Sequence, residues 1–256
     1  MKNPLLDVSS LCVSFGGVAA LSSVDLCVME SSVHGLIGPN GAGKTTLLNC
    51  ISRLVQQQSG SIKFNGIDLL KLNPHQVAGA GITRTFQNFG LIGELTVLDN
   101  VLAGRHARHP GTLWDELVNI SQRNAKEKTE SLRAMGALEL VGLEALAHRT
   151  VASLSYGTRK SVELARATSL DPKLLMLDEP TAGLSRKEMD DLRDTLLALR
   201  KRTGVTILVI THHIEFLMGV ADQVTVLDLG KSIVSGNPSL IRDNPEVVAA
   251  YVGTED

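Results

Sequence analysis

Residues 38–46 read GPNGAGKTT, which places Gly38, Gly43, Lys44 and Thr45 at the defined positions of the spacing G-x-x-x-x-G-K-[ST]. The apolar stretch Val33 to Ile37 before it reads as a strand, and LeuLeuAsnCysIle after it reads as a helix. That strand–loop–helix setting is what the motif needs, since glycines let the loop bend so that backbone N–H groups point inward at phosphates. Pro39, Asn40, Gly41, Ala42 and Thr46 complete the loop. Lys44 supplies a point charge for β- and γ-phosphates, and the Thr45 hydroxyl is a candidate Mg²⁺ ligand.

A second segment answers the first. LLMLDE at 174–179 is a continuous apolar run ending in two carboxylates. A buried parallel strand has this pattern and delivers its last residues where ligands of open α/β sheets bind. Asp178 is then a candidate to hold Mg²⁺ through water, and Glu179 to orient or deprotonate an attacking water. Taken alone, such a strand end would only be solvated; beside a phosphate loop it implies nucleotide hydrolysis. LSYGT at 154–158 puts Ser155 and Gly157 at a helix start, where free N–H groups and the dipole favour an anion. A plain Ser155 helix cap is the simpler local reading.

The rest of the chain fits an α/β architecture. Leu5–Phe15 and Val24–Glu30 alternate as strands, Ser61–Phe64 is a short strand, and AsnProHisGln at 73–76 starts a helix leading to a strand over Ile82–Gln87. Leu95 to Arg108 and Asp115 to Val141 are helical, with Leu132, Met135 and Leu138 as apolar positions, broken by HisProGly at 109–111. A helix follows from Ser155 to Leu170. Strand and helix then alternate as Leu174–Leu177, Arg186–Thr203, Val205–Ile210 and Ile214–Val220, closing with a hairpin of Val224–Leu227 and Ser232–Val234. This implies a mostly parallel sheet covered by helices, with a helical lobe inserted in its middle.

The 256 residues allow a substantial core. The net charge of −2, with no basic block, argues against a nucleic-acid partner. No window approaches the ~18 apolar residues of a membrane helix. The N-terminus has polar residues where a signal peptide needs an unbroken apolar stretch. Cys12, Cys27 and Cys50 have no metal-like spacing and are expected as reduced core fillers in a cytosolic compartment. The HisxxHis of 106–109 lacks an accompanying carboxylate or cysteine and is expected in a solvated loop. Phe15 by itself would be an ordinary strand or core aromatic, and nothing local selects Gln87.

The ordered set GPNGAGKTT, Gln87, LSYG, LMLDEP, AGLS and THH resembles the ATP-binding subunits of ABC transporters and spans essentially the whole chain. The match is most similar to the branched-chain (hydrophobic) amino acid importer subfamily, through FGGVAAL (15–21), TFQNFGLIGELTVLDNV (85–101), TyrGly in place of GlyGly, and NPEVVAAYVG (244–253). The resemblance implies a P-loop NTPase (RecA-like) core with an N-terminal antiparallel β subdomain and an inserted α-helical subdomain. One ABC ATPase domain would fill 1–256, with core at about 1–87 and 154–256 and the helical insert at about 88–153.

By position the resemblance assigns Phe15 to stack on adenine and residues 38–46 to hold phosphates. Gln87 would sense Mg²⁺, water and the membrane subunit. Ser155 and Gly157 would meet the γ-phosphate held by a second copy. Residues 182–185 would line the dimer seam, and His212 would contact the γ-phosphate, with His213 as the alternative. Thr158, Lys160 and Ser185 depart from the usual Gln, Arg and Asp or Asn. ATP and Mg²⁺ are the implied cofactors. Implied partners are a second ATP-binding subunit (self or paralogue), transmembrane permease subunits and, indirectly, a periplasmic solute-binding protein, with the chain peripheral on the cytoplasmic face of the inner membrane. Urea or amide uptake, lipopolysaccharide export, a soluble ATPase acting on DNA or the ribosome, and a regulator that no longer hydrolyses remain open alternatives.

Overall fold

The computed structural model describes residues 4–85, 90–108, 120–242 and 244–252. Gln87, His109 and the HisProGly break lie outside them.

Two sheets organise the chain. The first is antiparallel, formed by β1 (Pro4–Phe15), β2 (Val18–Met29), β4 (Ser59–Phe64) and the short β5 (Ile67–Asp68) in the order β2-β1-β4-β5. β1 and β2 turn at Gly16–Gly17, both with positive φ, the backbone that a two-residue hairpin turn demands. Strand β2 therefore starts at Val18, six residues before the alternation becomes visible in the sequence.

The second sheet contains β3 (Val33–Ile37), β6 (Ile82–Arg84), β7 (Leu174–Asp178), β8 (Thr206–Ile210), β9 (Gln223–Asp228) and β10 (Lys231–Gly236), ordered β10-β9-β3-β8-β7-β6. All neighbours pair in parallel except the β9–β10 hairpin at one edge. β3, β7 and β8 are buried at every position, which is why they read as mainly apolar rather than alternating stretches, with His34 as a buried polar exception in β3.

Helix α1 (Lys44–Ile51) follows β3, and α2 (Pro74–Ala80) is opened by Asn73 in a reciprocal cap with Gln76. The helical lobe holds α3 (Val97–Arg108) and α4 (Ile120–Leu140); then come α5 (Tyr156–Thr168), α6 (Arg186–Thr203), α7 (Ile214–Val220), α8 (Pro238–Arg242) and α9 (Pro245–Val252).

Alternate side chains of β7 face opposite cores. Leu174 and Met176 join Leu6, Leu47 and Phe64 between the two sheets, whereas Leu175 and Leu177 join Leu196, Leu199 and Phe216 beneath the outer helices. Helix α5 does the same in helical register. Its Leu164 and Ala167 pack on the sheet, while Val162 and Ala165 pack on Val97, Val101 and Leu138 of the helical lobe. The helix that begins at LSYG is therefore the element shared by lobe and core.

Three local expectations are corrected. Leu132 is exposed, whereas Leu138 is buried as expected, beside Ala134 and Ala137; steps of three residues drift by about 60° each on a helix of 3.6 residues per turn, so three such positions do not make one face. Only Cys50 is a core filler, since Cys27 is exposed and Cys12 half-buried on the outer antiparallel sheet. His106 belongs to α3 rather than a loop. Among the described residues no helix is long and apolar enough to cross a membrane, and no His, Cys, Asp and Glu cluster could hold a metal by itself.

Candidate functional site

The phosphate loop joins β3 to α1 in a shape that only glycine allows at two points. Gly38 has φ 153, and a Cβ there would lie 2.0 Å from the Leu227 carbonyl oxygen. Gly43, the residue capping α1, has φ 99, and a Cβ would lie 2.7 Å from the Ala20 carbonyl. The loop thus sits pressed against β2 and the β9 end, and within it the Ala42 N–H donates to the Pro39 carbonyl at 3.2 Å. Lys44 folds over it and donates to the carbonyls of Gly38 and Pro39 at 2.6 and 2.8 Å. Burial lowers the Lys44 pKa, and the nearby carboxylates of Glu179 and Asp178 oppose that shift.

A cavity of about 230 Å³ is lined by Asn40 to Thr46 together with Asp178, Glu179 and Ile210. Sequence positions more than 130 residues apart therefore meet, because β3 and β7 flank β8 in the sheet and end on the same side. A larger cleft of about 430 Å³ opens from the same Asn40, Asp178 and Glu179 toward α5, reaching Tyr156, Lys160 and His212.

Asp178 is buried, and its Oδ2 receives the guanidinium of Arg84 at 2.8 Å. Arg84 also donates to Oδ1 of Asn49 on α1 at 2.7 Å. This residue escaped the sequence reading. The available signal was a full charge at the end of an apolar strand, which requires a buried counter-charge.

Glu179 has φ 50, a left-handed backbone uncommon for a residue with a side chain and typical of functional sites. Its N–H donates to the Ile210 carbonyl at 2.8 Å, and its Oε2 lies 3.0 Å from Nδ1 of His212. His212, not His213, makes this contact. A buried hydroxyl pair, Thr181 Oγ1 and Thr211 Oγ1 at 2.6 Å, fastens the turn after β7 to the turn after β8 and so fixes both partners.

Ser155 is the cap of α5: its Oγ accepts from the Thr158 N–H at 3.2 Å and pairs with the Thr158 hydroxyl at 2.9 Å. Thr158, the departure from Gln, thus completes the cap. Ser155 and Gly157 line neither cavity, so within one chain they do not reach the phosphate loop. Gly157 lies against Glu188, where a Cβ would meet Oε1 at 2.3 Å. Glu188 in turn closes a reciprocal cap with Ser185 at the start of α6, so Ser185, the departure from Asp or Asn, serves as a helix cap. Phe15 is 52% exposed at the end of β1, so it is not a core aromatic.

A phosphate loop feeding a helix, a carboxylate pair at the end of the next-but-one strand of the sheet and a helical lobe between them in the chain define a nucleotide-binding cassette of the P-loop class. Residues 21–182 match the ABC transporter family. The chain is 39% identical over 99% of its length, and 99% of the relative's, to the high-affinity branched-chain amino acid transport ATP-binding protein BraF of Pseudomonas aeruginosa. It is 37% identical, with the same coverage, to LivG of Escherichia coli, described in the same words. Among solved structures it superposes on the ADP conformation of MJ1267, an ATP-binding cassette of an ABC transporter, with a TM-score of 0.86 at 31% identity over 98% of this chain and 99% of that one. This chain belongs to the ABC transporter family, as an ATP-binding, ATP-hydrolysing subunit.

Proposed function

We propose that the chain energises uptake of branched-chain amino acids from the cytoplasmic face of the membrane, paired with a second ATP-binding subunit and with permease subunits that a periplasmic solute-binding protein supplies. The cargo follows the names of the full-length relatives. The hydrolytic role rests on one observation, the convergence of Lys44, Asp178 and Glu179 on the phosphate-loop cavity, with His212 bonded to Glu179.

The donors fit a hard divalent cation, because the Thr45 hydroxyl and the Asp178 carboxylate are both oxygen ligands on one cavity, with Oδ2 of Asp178 taken by Arg84. Thr45 and, through water, Asp178 would hold Mg²⁺, with Gln87 as a further ligand outside the described residues. Bound there, Mg²⁺ neutralises charge on the β- and γ-phosphates. Phe15 stacks on adenine, residues 38–46 wrap the phosphates with N–H groups, and Lys44 adds its charge. Glu179 takes the proton of the attacking water at its carboxylate, while His212 orients that carboxylate and reaches the γ-phosphate.

Ser155 and Gly157 act on the nucleotide of the second subunit, in keeping with their distance from their own loop. ATP then favours the closed pair by differential affinity, and cleavage removes that preference. The helical lobe moves with the cycle and transmits it to the permeases near Gln87. Reconstitution with the permeases in vesicles tests the cargo: valine or leucine accumulation driven by ATP is expected, and stimulation by urea or amides instead would reassign it.

A further inference from the structure

Lys160 stands on α5 five residues after Ser155 and is not itself a ligand in the site described above. Its Nζ donates to the Glu179 carbonyl at 3.2 Å and to the Pro180 carbonyl at 2.9 Å. The Tyr156 ring lies 5.5 Å from the same ammonium, and the Tyr156 hydroxyl donates to the Ala182 carbonyl at 3.4 Å. Gly183 packs at the Tyr156 ring edge, where a Cβ would be 3.0 Å away. The start of α5 and the turn 179–183 are thereby stitched together along their length.

The turn needs such support. A left-handed residue with a side chain persists only where its surroundings over-determine it. Glu179 is held at its N–H by Ile210 and at its carbonyl by the Ala182 N–H and by Lys160. Pro180 brings no N–H of its own, and its carbonyl turns back to the same ammonium. The ammonium is partly desolvated, and Glu163 and Glu179 support its charge.

We infer that Lys160 is a positioning residue for Glu179: by gripping the two carbonyls it sets the backbone that aims the carboxylate, and it couples that aim to the LSYG helix end. The inference rests on Glu179 as the base. The helix end that meets the second subunit's nucleotide then governs the base of its own subunit.

The test uses the full chain with ATP and Mg²⁺, comparing Lys160→Met, Lys160→Arg and Glu179→Gln. Lys160→Met removes the charge while keeping the stem. Expected are a kcat at least about tenfold lower, a KM within about twofold of the parent, and ATP-dependent dimers that persist as they do in Glu179→Gln. Lys160→Arg, which can still donate to both carbonyls, should recover kcat to within about threefold. An unchanged kcat in Lys160→Met overturns the inference. So does loss of turnover accompanied by loss of ATP affinity and a lower melting temperature, which marks a merely structural lysine. Full turnover in Glu179→Gln overturns the assignment of the base, and is separable because that variant leaves Lys160 in place.

Discussion

Nδ1 of His212 and Oε2 of Glu179 lie 3.0 Å apart, the one on the turn after β8, the other at the end of β7. Their strands are parallel neighbours, so the contact is a direct product of sheet order. It joins two groups that line the larger cleft beside the phosphate loop and gives Glu179 a fixed orientation without removing its ability to accept a proton.

Glu179→Gln should lower turnover by about 10² to 10⁴, the usual contribution of a general base, while ATP still drives dimer formation. Phosphate release and light scattering on the same sample check both halves. Turnover at the parent rate would remove Glu179 from its role.

The adjacent histidines should behave unequally. His212→Ala loses the contact to Glu179 and is expected to reduce kcat severely, whereas His213→Ala, which keeps the backbone N–H bond to the Thr211 hydroxyl and removes only a ring 4.2 Å from that of His212, should stay within about twofold. Steady-state assays of the two single variants decide the pair, and equal losses would contradict the assignment.

Complementation tests the shared site. Ser155→Arg should block turnover in a dimer of identical subunits, as should Lys44→Ala. Mixing the two variants is expected to restore part of the activity, because one of the two composite sites then combines an intact phosphate loop with an intact LSYG segment. A mixture as inactive as its components would argue against action across the seam.

Arg84 and Asp178 form an ion pair whose side chains are 7% and 4% exposed. Arg84→Met leaves a buried carboxylate uncompensated and should cost about 3–5 kcal/mol of unfolding free energy. The double variant Arg84→Met with Asp178→Asn should recover much of that, since neither charge remains. Urea unfolding of the single and double variants measures the difference.

His34 on β3 is 1% exposed and bonds the Thr225 hydroxyl, and burial lowers its pKa to about 4. The unfolded chain, with an ordinary histidine, binds a proton below about pH 6.5, whereas the folded chain does so only near pH 4. Stability due to this residue is therefore intact above pH 6.5 and falls as pH drops toward 4, by roughly 3 kcal/mol in all. Unfolding curves at pH 7.5 and 5 should show the loss, and His34→Gln should lack that share of it.

The phosphate loop was legible because all its parts lie within nine consecutive residues, and the carboxylate strand because full burial leaves an unbroken apolar run. Helices α6 and α7 fall at the bounds read for them in the alternation of strand and helix, Arg186–Thr203 and Ile214–Val220. Leu132 and Cys27 were misplaced because residue type alone does not say which face of an element another element covers.

What stayed hidden depends on pairs distant in sequence. Arg84 finds Asp178 across 94 residues, and Lys160 finds the Glu179 backbone from another helix. Local chemistry, in which backbone geometry and burial imprint themselves on neighbouring residues, thus determined the fold class, the phosphate loop and the strand that carries its carboxylates. Only the tertiary structure decided which histidine faces Glu179, what neutralises Asp178 and what holds the strained turn, because those outcomes depend on strand order and helix packing that no short stretch of chain encodes.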